Sequence, residues 1–173
     1  MFRVGDKVAH PMHGAGVIDG IVQETVAGSV QDYYVFRMPV GGLVLKIPTA
    51  TSGIIGLRGI VDPGRAAQLI GDLAGLEVEQ FIGSWNQRYR ENMQKLKSGD
   101  LYEVARVAKS LVNRDQERGL STGERKMLRT AKQILISEVV LSTGEDYQDI
   151  EKQVNKAMSG GRADEEALFQ AVP

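Results

Sequence analysis

An α+β chain is predicted, with a small β-barrel ahead of an all-helical domain, and three observations carry that expectation. Glycines at 5, 14, 16, 20, 28, 41, 42, 53, 56 and 59 punctuate short β-branched or aromatic runs across the first 61 residues. From Asp62 onward the apolar period changes from about two to about 3.6. Pairs with capping-box spacing then recur at Ser84/Gln87, Ser121/Glu124 and Ser142/Glu145.

In the β-unit, strands are expected at Lys7–His10, Gly16–Glu24, Asp32–Met38, Leu43–Pro48 and Gly56–Val61. Gly41-Gly42 reads as a tight hairpin, Ala27-Gly28-Ser29 as a looser one, and Thr49–Ser52 as a helical turn. Five short strands without a long helix fit a strongly bent SH3- or Tudor-like barrel. Asp62-Pro63 supplies an N-cap and an N1 proline for a helix whose face is Ala66, Leu69, Ile70 and Leu73, weakened by Gly71 and Gly75. Further helices are expected over about Trp85–Lys97 and Asp100–Glu117, then from the Ser121 cap through Val139, and over about Glu145–Met158. The division is 1–61 for the β-domain, 62–160 for the helical domain and 161–173 for a flexible acidic tail.

Composition narrows the function. The chain has 173 residues and no cysteine, which excludes disulfides, thiolate metal sites and cysteine catalysis. The N-terminus lacks the apolar core of a signal peptide, and no apolar run nears membrane-spanning length, so a cytoplasmic protein without a membrane partner is expected. The net charge of −1 hides an asymmetry. Residues 1–85 sum to −2, residues 86–132 to +6 and residues 133–173 to −5. Because charge acts over about 8–10 Å, the basic middle is a better guide to partners than the overall balance.

No catalytic pattern accompanies the Ser, Asp and His residues. A Gly-x-Ser-x-Gly elbow, a phosphate-cradling glycine loop and a His-x-Glu pattern are all missing, and Gly14-x-Gly16 lacks the third glycine of a dinucleotide fingerprint. The two histidines lie in His10-Pro11-Met12-His13-Gly14. A metal there would need further ligands such as Asp6 and Asp19, and a Pro/Gly turn explains the run better. Neither enzymatic activity, a metal nor a cofactor is expected.

The helical half is more informative. Ser84 caps a helix that begins with Trp85, the chain's only tryptophan, so a large flat side chain stands at an electropositive helix end with Arg88 and Arg90 one turn on. If the next two helices form an antiparallel hairpin, Arg114 and Arg125 share one end with an outward helix N-terminus, a combination that binds phosphate. Lys126 and Arg129 follow on the same helix. Two other functions compete. A protein–protein adaptor would bury Trp85 in a core stripe with Tyr89, Met93 and Leu96; an RNA-binding Tudor-type module is disfavoured by the net acidic β-unit.

Several of these residues fall into longer motifs. They are Val4-Gly5-Asp6-Lys7-Val8 with His10-Pro11-x-His13-Gly14, then Trp85-x-x-Arg88-Tyr89, then Lys95-Leu96-x-Ser98-Gly99-Asp100. The longest is Arg114-Asp115-Gln116-x-Arg118-Gly119-Leu120-Ser121-x-Gly123-Glu124. Over about residues 1–142 the chain resembles the CarD/CdnL family of bacterial RNA-polymerase-binding transcription regulators.

The resemblance implies that the β-domain, of the kind shared with transcription–repair coupling factor, binds the protrusion of the RNA polymerase β subunit by edge-strand pairing. Val44, Lys46 and Ile47 would form that edge. Where relatives carry a second basic residue this chain has Glu24, which implies a weaker contact there or a compensating change on the polymerase. The resemblance also implies a helical domain at the upstream edge of the transcription bubble, with weak sequence preference. Trp85 would wedge into the minor groove, and Arg88, Arg90, Arg114, Arg125 and Lys126 would meet phosphates. A monomer that stabilises the open promoter complex, and reaches the nucleoid through the polymerase, is the expectation.

Overall fold

The computed structural model describes residues 1–160; the acidic segment expected to be flexible, 161–173, lies outside the described residues. An antiparallel sheet of five strands forms the N-terminal unit, in the order β4-β3-β2-β1-β5. The strands are β1 (Lys7–His10), β2 (Gly14–Val26), β3 (Ser29–Arg37), β4 (Val44–Pro48) and β5 (Arg58–Gly59). Pairing leaves β4 and β5 as the edges. Val8, Ile18, Tyr34, Phe36, Met38, Ile47 and Leu57 form its core, and the Tyr34 hydroxyl accepts from the Phe2 amide at 3.0 Å.

The tight hairpin is not the one glycine doublets suggest. Val26 pairs with Ser29, and the two intervening residues Ala27 and Gly28 have φ of 50° and 82°. Positive φ at both positions matches the right-handed strand twist, so β2 and β3 run longer than expected. Gly41-Gly42 sits instead in the wider loop between Arg37 and Val44. The last strand shrinks to two residues. Gly56, at φ 96°, closes the short helix α1 (Ser52–Ile55), and the Val61 amide leaves the sheet to bond Glu138.

Four helices start on local side-chain caps, three of them expected and the fourth, Asp100, expected instead as the first helical residue. Asp62 caps α2 (Pro63–Asp72), Ser84 caps α3 (Trp85–Lys97), Asp100 caps α4 (Leu101–Arg118) and Ser121 caps α5 (Thr122–Thr143). Only the Ser84/Gln87 box is reciprocal. The Ser142/Glu145 box does not form: α5 continues to Thr143, Gly144 ends it in the left-handed conformation, and Asp146 caps α6 (Tyr147–Met158). Ser142 turns away to donate to the Val61 carbonyl at 2.7 Å. The C-terminal end of α2 has no basic residue of its own. Lys109 from α4 donates to the carbonyls of Leu73, Ala74 and Leu76 at 2.8–3.0 Å and takes that role.

Helix α5 is the shared element. Ile134 to Val139 are buried without interruption, because one side faces the helical core and the other faces the sheet. The Ser137 hydroxyl accepts from the Ala15 amide at 3.0 Å. Gly14 lets the backbones meet: a Cβ there would stand 2.3 Å from Ser137 Oγ. Lys7 donates to the Leu141 carbonyl, and Gln133 to that of His13. At the centre, Arg58 makes two bonds to Glu138, 2.7 and 2.9 Å, and the Val61 amide adds a third at 3.0 Å.

Candidate functional site

Two helix N-termini, those of α3 and α5, meet at one end of the helical unit, and Trp85 joins them. Its ring stacks on Tyr89, with centroids 5.2 Å apart and planes 24° from parallel. Its indole N–H donates to Ser121 Oγ at 3.4 Å. That hydroxyl also accepts from the Glu124 amide and donates to the Glu124 carboxylate, so both its lone pairs and its proton are used. The indole thus has one orientation while 44% of the residue stays exposed. The expectation of the adaptor reading, Trp85 within the core, does not hold. Of the stripe proposed for it, only Leu96 is core, with Tyr89 and Met93 packed partly against it.

In the sequence Glu124 closes a capping box and the longest motif. It is 4% exposed and turns inward instead. Arg88 Nε lies 3.4 Å and Arg114 Nε 3.3 Å from the same Oε2 oxygen. The expected antiparallel arrangement of α4 and α5 therefore holds, and it brings Arg114 to the start of α5. Arg88 and Arg114 have side chains only 13% and 30% exposed, so they brace the end of the bundle from within. Arg90, Arg125 and Lys126 are exposed, and none forms an ion pair among the described residues. The end therefore has an inner layer in which two guanidiniums share one carboxylate, and an outer layer of exposed cations on the same two helices.

On the β-unit, β4 pairs with β3 through Val44 to Pro48 and, among the described residues, has no strand on its other side. Val44 and Lys46 face outward, whereas Ile47 is 3% exposed and belongs to the core, so its side chain is spoken for. Lys46 forms an ion pair with Glu24 across β3. The acidic residue on the second strand is therefore matched within the sheet, diagonally over Tyr33 of β3. His10 Nδ1 accepts from the Met12 amide at 3.1 Å, and the His10 and His13 rings lie 4.6 Å apart. Burial, with the neighbouring His13, lowers the His10 pKa to about 4. This is the compact turn its Pro/Gly context predicts.

Among the described residues no helix is long and apolar enough to cross a membrane. Residues 2–60 match the CarD-like/TRCF RID domain family, and residues 71–155 match the family described as CarD, C-terminal domain. A similar protein is the Bacillus subtilis (strain 168) "Putative transcription factor YdeB", 33% identical over 144 residues, a stretch covering 83% of this chain and 94% of that protein. With both halves of the family matched in order and a relative aligned over most of its length, the chain belongs to the CarD family of transcription regulators.

Proposed function

We propose that the chain binds the β subunit of RNA polymerase through the open edge of β4 and holds promoter DNA open by setting Trp85 into the minor groove at the upstream bubble edge. One observation carries this reading. Trp85 is exposed yet held in a fixed orientation by Tyr89 and Ser121, at an end where two helix N-termini point outward. A free aromatic would lose rotamer entropy on insertion, and a pre-set one loses less. Wedging costs a few kcal/mol per unstacked step, least where the duplex is already open, so it favours the melted state. A preference of about 1.4 kcal/mol shifts that equilibrium tenfold. The phosphate contacts fall to Arg90, Arg125 and Lys126, with Arg88 and Arg114 acting through the Glu124 brace. On the polymerase side, main-chain groups of β4 supply affinity, and Val44 and Lys46, the latter shared with Glu24, supply selectivity.

Trp85→Ala is expected to leave polymerase pull-down unchanged and to shorten open-complex lifetime about tenfold on a slow-opening promoter. An unchanged lifetime overturns the wedge. Lys46→Glu is expected to abolish pull-down of the isolated protrusion; full retention overturns the β4 contact. Three outward cations give a log–log salt slope of roughly −2.7, whereas five would give roughly −4.5. The steeper value would return Arg88 and Arg114 to the contact set.

A further inference from the structure

Asn86, Tyr89, Arg90, Met93, Gln94 and Lys97 recur at intervals of three and four along α3 and line a shallow, open groove on the face of that helix beside the Trp85–Tyr89 stack. Tyr89 and Met93 are half-buried and form its floor; the other four are exposed. The chemistry is sorted. The floor is aromatic and thioether, two amides stand beside it, and two cations complete the wall. Among the described residues no carboxylate lines it, and Glu91 faces a separate cavity with Glu77, Glu79 and Glu103.

We infer that this groove receives one unpaired nucleotide of a DNA strand leaving the duplex next to Trp85. The base rests on Tyr89 and Met93, the amides of Asn86 and Gln94 meet its edge, and Arg90 and Lys97 take the flanking phosphates. Each amide offers both a donor and an acceptor, so any of the four bases finds a partner. Stacking is equally tolerant, since every base has a π-face. The groove therefore adds affinity for unpaired DNA without adding strong sequence preference. An already unpaired base enters at the least cost. The inference rests on the reading of Trp85 as the wedge, and it assigns the strand beside the wedge a place to go.

The test uses the full chain and fluorescence anisotropy with three probes: a plain duplex, the same duplex ending in a short single-stranded fork, and that fork with an abasic site at its first unpaired position. The intact fork is expected to bind about tenfold more tightly than the abasic one. The double variant Asn86→Ala/Gln94→Ala, two exposed side chains without hydrogen-bond partners among the described residues, is expected to reduce that difference to about threefold, the stacking on Tyr89 and Met93 being kept, and to leave duplex binding unchanged. Equal affinity of the wild type for both forks overturns the inference and leaves the wedge standing. An equal loss on all three probes in the double variant also overturns it, by showing a plain backbone contact. Should Trp85→Ala bind both forks as tightly as the wild type, or the wild type bind no DNA at all, the wedge reading falls and this inference with it.

Discussion

Removing Arg58 is expected to cost much more stability than removing the charge it binds, and the asymmetry follows from burial. The Glu138 side chain is 0% exposed, while that of Arg58 is 31% exposed. In Arg58→Ala the carboxylate keeps the Val61 amide but loses both guanidinium bonds, with only the space vacated by the side chain for water to reach it. Stranding a buried charge in this way costs about 3–5 kcal/mol. In Glu138→Gln the amide oxygen still accepts from Val61, and the guanidinium can turn outward and rehydrate. The loss there is one or two charge-assisted hydrogen bonds, about 1–2 kcal/mol. Urea unfolding followed by Trp85 fluorescence for the helical unit, and by circular dichroism for the whole chain, measures both. With a slope of roughly 1–3 kcal/mol per molar, the two midpoints should differ by about 1 M. Arg58→Met/Glu138→Met should recover most of the Arg58→Ala loss, since an apolar pair replaces a buried ionic one at little net cost. Equal losses in the two single variants, or a larger loss for Glu138→Gln, would refute the argument that trapped charge sets the cost.

Three further expectations rest on other parts of the fold. Gly16→Ala should destabilise by about 2–3 kcal/mol in a thermal melt, because its Cβ would come within 2.6 Å of the Arg37 carbonyl and 2.7 Å of the Phe36 ring. Gly123→Ala should be tolerated, with a gain of about 0.5 kcal/mol from helix propensity: its Cβ would make ordinary contacts of 3.6 Å with Trp85 and 3.7 Å with Tyr89. For His10, with a folded pKa of about 4 against 6.5, the unfolded chain binds the extra proton between those values. Stability should therefore fall as pH drops through 6.5 and level off below about 4, and chemical unfolding of His10→Asn across that window should show a flatter slope.

Local signals were legible and long-range ones were not. Asp62, Ser84 and Ser121 could be read as caps because a cap bonds amides two or three residues away. Ser142 misled for the opposite reason: its partner, Val61, lies 81 residues away in sequence. Gly41-Gly42 matched a hairpin composition, yet Ala27-Gly28 closed the tight turn, since flanking strand register decides which loop is short. Trp85 and its cationic neighbours were visible as a cluster. Their sorting into an inner brace and an outer layer was not, because it depends on the direction in which Glu124 points. A signal for Glu138 did exist. It sits inside the apolar run from Ile134 to Leu141, where a charge must have a partner from elsewhere in the chain.

Helix α5 begins at Ser121, beside the indole, and reaches the sheet by Ser137. At about 1.5 Å per residue, that separates the two contacts by about 24 Å along a rod with no hinge in it. On the proposed reading, once β4 is docked the indole samples a small fixed volume instead of a flexible tether's sphere. Its effective concentration is then high where the duplex edge lies at that reach and near zero one helical turn away. On that reading the protein would act as a gauge of fixed length, sorting promoters by where their upstream edge sits relative to the polymerase, with no base needing to be read.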